Sequence, residues 1–353
     1  MAVYTTIDDP SKYFQTLLYT GDGGSDRTIN FDGNSDLQPD FLWVKKRSAA
    51  QNHYLANTNA SISKVMYSID TGVEANETAQ FKSVHSDGWV QGADNTNTNT
   101  ATFVAWGWKA NGGSTSSNTS GTNIDTTVQA NTTAGFSIMT YEGTGTAADS
   151  IGHGLGAVPH LVIVKNREEA NRWTVYHHKN TSAPETEYLN LQDLNATVDV
   201  ATRWNDTAPT STVITLGDND GVSKASTDYV CYAWTSIQGY SQFGGYIGNG
   251  STDGTFVYTG FKVGWLLIKN TQNSSNWRLW DNRRTDASHN EISSNFRPNS
   301  DGAETTDYHV DFLSNGWKAR VNDEVNNDTQ TFIYAAFAES PLVTSTGIPA
   351  TAS

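Results

Sequence analysis

Chemistry in this chain would have to come from a small set of side chains. The eight histidines are His53, His85, His153, His160, His177, His178, His289 and His309. None forms the His-Glu-x-x-His spacing of a zinc protease, and no Gly-x-Ser-x-Gly elbow occurs; "GYSQF" (239–243) fails at its last position. His177 and His178 follow a Trp-Thr-Val-Tyr run. Adjacent strand residues point to opposite faces, so the pair is read as a surface turn and not a chelate. "GHGLG" (152–156) invites a phosphate cradle, but a cradle needs a helix opening on its last glycine. Here the glycines lead into Pro159 and "LVIVK", a strand pattern, so they read as a turn. "GDNDG" (217–221) resembles a calcium loop without a ligand in EF-hand register. A turn is the first reading there, weak calcium binding the second. The single cysteine, Cys231, sits in the apolar run "DYVCYAW" and reads as a core thiol; with one cysteine no intramolecular disulfide forms. No metal, cofactor or activated nucleophile is implied.

Binding chemistry has a better candidate. In "NWRLWDNRR" (276–284), strand geometry puts Trp277 and Leu279 on one face and Arg278 and Trp280 on the other. A Trp beside an Arg on an outer face stacks on a sugar or anchors an interface. Trp280, Arg278 and the neighbouring acid Asp281 are therefore the candidate ligand contacts, with plain packing as the alternative. Trp173 and Trp277 stand at matching places and read as shared core. A glycosidase needs two carboxylates facing each other, and nothing in the sequence pairs them. The chain is read as a non-enzyme.

These residues are carried by a repeated unit. "PDFLWVKKR" (39–47), "PHLVIVKNR" (159–167) and "VGWLLIKNT" (263–271) are apolar runs containing Lys45, Lys165 and Lys269. A Tyr-x-Gly-x-Gly motif starts 26, 24 and 23 residues before each lysine, at Tyr19, Tyr141 and Tyr246. An aromatic run starts 58, 64 and 63 residues after it, at Phe103, Tyr229 and Phe332. Eight residues after the lysine stands His53, Trp173 or Trp277. "SDGW" (86–89) and "SNGW" (314–317) recur in the first and third copies only. Matching order at matching spacing predicts an internal triplication.

The runs are short and bounded by Gly, Asn, Asp and Ser, which predicts an all-β fold of three related β-sandwich, jelly-roll-like units. The apolar runs do not alternate, so they read as strands covered on both faces or lying at an interface. Asp9 as N-cap and Pro10 at the first helical position predict one short N-terminal helix, about 10–16. The expected order is helix and first unit 1–109, a Gly/Ser/Thr/Asn linker 110–135, second unit 136–238, third unit 239–339, and an extended C-terminal arm 340–353.

Composition narrows the partners. Only 17% of residues are charged and 11% are aromatic, which favours a folded β protein over disorder. Net charge is −15, and such a surface repels nucleic acid and anionic membranes. No run approaches the ~20 apolar residues of a membrane span, and the opening residues carry no basic segment followed by an apolar one. Synthesis in a cytoplasm is the expectation. The aromatic density and the unalternating strands predict a homo-oligomer.

"MAVYTTIDDPSKYFQTLLYTGDGG", "NTTAGFSIMTYEGTG", "IGHGLGAVPHLVIVKNR", "DGTFVYTGFK" and "FIYAAFAESPLVTSTGIPATA" resemble a repeat family of structural, tail-fibre-like virion proteins from tailed bacteriophages of marine bacteria. The likeness spans nearly the whole chain. Val263 stands where the other two copies have Pro39 and Pro159. The resemblance implies a virion surface protein with other virion proteins as partners, most simply a tail fibre or receptor-binding protein that adheres to host glycans. A capsid-surface decoration or head-fibre protein is the second implication, and a polysaccharide-depolymerising tailspike the third. The resemblance also makes a trimer the preferred homo-oligomer. No catalytic residues come with the family.

Overall fold

Short β-branched and aromatic runs between turn residues have little choice but strands. A computed structural model describes residues 4–285 and 290–350. Strands make up 42% of the chain and helical turns 3%, so the fold is all-β.

Three large antiparallel sheets follow one connectivity, in which the closing strand lies between the first and second. One runs in the order Phe14–Thr20, Thr102–Trp108, Phe41–Lys46, His53–Asn57, Ser61–Tyr67, Ala75–Asn76. The next has Phe136–Glu142, Asp228–Trp234, Leu161–Asn166, Thr174–His177, Glu187–Asn190 and Val198–Asp199, with Thr126–Asn131 and Ser116–Asn118 added on the first strand's free edge. The last has Ser241–Ile247, Thr331–Pro341, Phe261–Asn270, Arg278–Asp281 and Asn295–Phe296.

The apolar runs lack alternation because both faces of each large sheet are covered. Phe41 and Trp43, Leu161 and Ile163, and Trp265 and Leu267 meet in one central core shared by all three sheets. Their neighbours Leu42 and Val44, Val162 and Val164, and Leu266 and Ile268 point outward into three separate cores. Those outer cores are closed by small sheets: Arg27–Asn30, Gly88–Gln91 and Phe81–His85; Ser150–Gly152 and Val213–Thr215; and Phe256–Tyr258, Gly316–Ala319, Val310–Leu313 and Glu291–Ile292. The apolar strand faces that suggested an oligomer interface lie in this shared interior.

Where the sheets meet, the same contacts recur around a closed cycle. Lys45, Lys165 and Lys269 are fully buried. Lys165 Nζ donates to Thr71 O of the first unit (3.2 Å), Lys269 to Leu194 O of the second (3.0 Å), and Lys45 to Asp301 O of the third (3.1 Å). Those carbonyls also accept from the backbone N–H of Asn171, Ser275 and Gln51. Trp173 Nε1 donates to Tyr67 O and Trp277 Nε1 to Asn190 O, again across units. His53 fills the third such place. It accepts from Trp43 Nε1 at Nδ1, which leaves its Nε2 proton facing the backbone of Arg297. Two of the three junctions add bidentate ion pairs, Arg167 with Glu74 and Arg47 with Glu304.

Three expected segments differ. Asp9 does cap Ser11 N (3.0 Å), but the helix is a single 3-10 turn, Pro10–Lys12. The aromatic and β-branched run from Phe14 pairs with Thr102–Trp108, and tertiary pairing overrides the helix start. The linker 110–135 is partly strand. Thr126–Asn131 pairs with Phe136–Glu142, and Ile124 and Val128 are buried beneath it. At its start, Asp40 carboxylate oxygens accept from the N–H groups of Ala110, Gly112 and Gly113. The C-terminal arm is not extended. After the strand ending at Pro341 it folds back, with Thr344 N on Ile348 O and Ala350 N on Leu342 O, and Ser345 N reaches Asp8 (2.6 Å). Residues 351–353 of that arm, and His289, lie outside the described residues.

Candidate functional site

The alternation predicted for "NWRLWD" holds, but its outer face is not a surface. Trp277 and Leu279 enter the central core, while Trp280 enters an outer core and donates from Nε1 to Tyr308 O (3.0 Å). Arg278 is 1% exposed and bonded to Glu324, Asn295 and Asp307. Asp281 is fully buried, accepting from Trp106 Nε1 (3.0 Å) and Arg284 Nε (2.6 Å). The small sheet over Arg278–Asp281 is what the sequence reading lacked. Arg278 and Trp280 are bonded within the third unit, Asp281 also reaches Trp106 of the first, and all three are closed to a ligand.

The other candidates resolve into structure as well. Gly154 and Gly156 adopt positive φ in the turn before Leu161–Asn166. In "GDNDG", Asn219 Oδ1 caps Gly221 N in a turn, and among the described residues no group of three or more His, Cys, Asp or Glu side chains is placed to hold a metal. Cys231 is buried, and desolvation pushes its thiol pKa up. His177 is not on a surface turn; it is 1% exposed and bonded through Nε2 to Tyr334 O of the third sheet (3.1 Å).

An open groove lies instead along the free edge of Ser241–Ile247, where the second unit meets the third. Its volume is ≈ 750 Å³, within the range of small-ligand sites. One wall is the edge strand Phe256–Tyr258. Val257 points into the outer core while Phe256 and Tyr258, 46% and 53% exposed, share the outward face. The Tyr258 hydroxyl lies 3.3 Å from that of Tyr4, which donates to Gly260 O. The floor is Gly244, Gly245 and Tyr334, and the far wall brings His178, Lys179 and Ser236 from the second unit. Gln242, with its amide nitrogen turned to the wall, donates to Tyr258 O and Thr259 O and ties floor to wall.

The histidines beside the groove are neutral. His178 Nε2 donates to Phe243 O (2.8 Å), and its ring stacks on His160 at 4.2 Å. Burial, reinforced by mutual proximity, holds His160 down at about 4 and His177 at about 3; burial lowers His178 also. Lys179 is thus the charged group on the lining, which has no carboxylate.

Register shows that this groove departs from the pattern of the other units. The residues paired through the closing strand to Lys45, Lys165 and Lys269 are Leu18, Thr140 and Gly245. One residue earlier stand Leu17, Met139 and Gly244, opposite Ala105, Cys231 and Tyr334. Large-small becomes small-large in the third unit, and a Cβ on Gly244 would sit 2.5 Å from the Tyr334 hydroxyl. On the wall, Val257 pairs with Trp317 as Ile29 pairs with Trp89, so Phe256 and Tyr258 stand where the first unit has Thr28 and Asn30. The signal was present in the sequence: aligned on the tyrosine, "FQTLLY" and "FSIMTY" face "SQFGGY".

No curated protein and no solved structure matches the chain. A family described as Domain of unknown function (DUF7483) matches residues 9–341. That span runs from the cap of the Pro10 turn to the last residue of the strand Thr331–Pro341 and takes in all three large sheets and the groove, so the chain belongs to this family.

Proposed function

We propose that the chain is a non-enzymatic carbohydrate-binding protein of a bacteriophage particle surface, tail-associated and in contact with host glycans, built from three sandwich units that arose by triplication. The triplication is supported by the repeated motifs together with the shared strand order and the cycle of lysine contacts. Virion placement rests on the sequence resemblance. Binding rests on one observation: exposed Phe256 and Tyr258 line a glycine-floored groove exactly once among positions that are polar or aliphatic in the first unit. Flat rings stack on the apolar faces of sugars, and glycine lets a pyranose approach the backbone. Lys179, Gln242, Ser236 and the Tyr334 phenol supply hydrogen-bonding groups for hydroxyls. A lining without carboxylates does not offer the acid pair of a glycosidase.

The test titrates purified host polysaccharide into wild type and Tyr258→Ala. Loss of a stacking hot spot costs on the order of 2 kcal/mol, about thirtyfold in affinity. Equal affinity removes the groove from the reading. Shortening of the polysaccharide by wild type restores the tailspike reading, and binding to capsids in place of host glycan gives the case to a decoration protein.

A further inference from the structure

Three arginines are buried, and two of them are paired. Arg278 meets Glu324 and Asp307, and Arg284 meets Asp281 and Glu304. Arg203, 6% exposed, has neither an ion pair nor a side-chain hydrogen bond among the described residues. Its Nε and Nη1 are buried and unpartnered. Its guanidinium lies 4.5 Å from the centre of the Tyr188 ring, which supports a cation without satisfying its N–H groups. A guanidinium cannot shed its proton to escape this cost, so the site is built for an anion that completes it.

The surroundings fit. Arg203 lines a groove of ≈ 620 Å³ at the junction of the first and second units, away from the aromatic groove. Arg172, exposed, lines it too, with Thr71, Asn171, Asp218 and Asp220. Gly221 leaves room for the guanidinium: a Cβ there would sit 2.3 Å from Nη1. Thr71 and Asn171 are fixed by the junction itself, since Asn171 N donates to Thr71 O (2.9 Å). The two aspartates repel a bare anion but accept hydroxyl protons. The favoured ligand therefore carries both an oxyanion and hydroxyls.

We propose that this groove is a second binding site, for a sugar bearing a carboxylate or sulfate, with the oxyanion on Arg203 and Arg172 and hydroxyls on the remaining lining. The site is independent of the aromatic groove and stands or falls separately from it.

Calorimetry and thermal melts with glucuronate, glucose 6-sulfate and glucose, each at matched ionic strength in sodium chloride, test the proposal. Wild type should bind one or both anionic sugars and show no response to glucose; which anion binds separates the carboxylate from the sulfate. Arg203→Met should weaken that binding at least tenfold without lowering the ligand-free melting temperature, because it removes an unpaired buried charge and keeps the packing on Tyr188. Arg172→Ala, an exposed change that leaves the core untouched, should weaken it as well, and it decides the matter if Arg203→Met does not fold. Glucose binding as tightly as the anions, no wild-type response beyond that to chloride, or full binding by both variants overturns the proposal.

Discussion

The junctions between the three sheets are alike, and their free edges are not. At each junction a buried lysine donates to a carbonyl of the preceding unit, and the same carbonyl accepts the same backbone N–H. At the edges, the first strand of the second sheet is covered by Thr126–Asn131, whereas the first strand of the third carries Gly244–Gly245 and lies open. The difference follows from the connectors. Residues 110–135 are long enough to lay down an added strand, while 235–240 pass directly through the Ile237–Ser241 turn. An open edge invites pairing with another chain, and here it is blunted by side chains. Ser236 Oγ accepts from Phe243 N, His178 donates to Phe243 O, and Thr255 Oγ1 donates to Ile247 O. Contacts that close the cycle are therefore constrained together, and positions released from it are where a groove can form.

The largest effect expected tests the constrained side. Burial pushes Lys45 down to about 7 and Lys165 and Lys269 to about 8, from an ordinary 10.5. Above those values the folded lysines have shed protons that the unfolded chain still holds, so unfolding takes up protons. Stability from this source rises with pH from about 7 to about 10.5 and is constant beyond. The depressed histidines add in the same direction lower down, between about 3 and 6.5. Buried tyrosines with raised pKa, such as Tyr229 at about 12, oppose it above 10. The melting temperature should climb from pH 5 to a maximum near pH 9–10, and Lys165→Met should flatten the slope. A maximum at or below pH 7 would show that the lysines stay charged in the fold and that their burial does not set the pH dependence.

The next effect tests the released side. Gly244→Leu installs the residue of the first sheet and drives its side chain into the Tyr334 hydroxyl, which should cost about 1–3 kcal/mol in chemical denaturation. Adding Tyr334→Ala recreates the Leu17–Ala105 pair and should recover most of that loss while removing glycan affinity. No recovery in the double variant would mean that the edges differ in more than the exchange of volume between neighbouring strands.

Much of this was legible in the sequence, and the limits are physical. Strand content, the order of the apolar runs and the matching spacing of the three lysine motifs follow from period, spacing and turn residues. The inward and outward halves of each run do not, because both faces are apolar; Leu161 and Val162 look alike but enter different cores. Trp280 was misplaced for the same reason: alternation gives the face but not what covers it. Asp9 and Pro10 announced a helix start correctly, and only pairing with Thr102–Trp108 stops it after one turn. The groove was readable as a departure, Gly-Gly against Leu-Leu and Met-Thr, but its wall pairs with a strand whose Gly-Trp motif has no counterpart in the second unit. Arg203 left no signal, since a missing partner is visible only in three dimensions.

The smallest effect concerns the connector. Between Asn111 and Asn123 most residues are exposed, with short strand pairing at Ser116–Asn118 and a single bridge from Asn123 to Ser150, so a protease should cut there before it cuts at Ile237–Ser241, where Tyr240 is buried. Thr126–Asn131 stays paired with the second sheet, so the new end should fall ahead of Thr126. The first unit remains held on both sides, by Arg167–Glu74 and Lys165–Thr71 toward the second unit and by Arg47–Glu304 and Lys45–Asp301 toward the third. The nicked protein should therefore sediment as one particle with its groove affinity unchanged, and its melting temperature should fall by only a few degrees as chain connectivity is lost. Separation of the first fragment under native conditions would show that the connector, and not the cycle of junction contacts, holds the units together. Particles three times the mass of one chain in the same run would support the homotrimer that the resemblance implies.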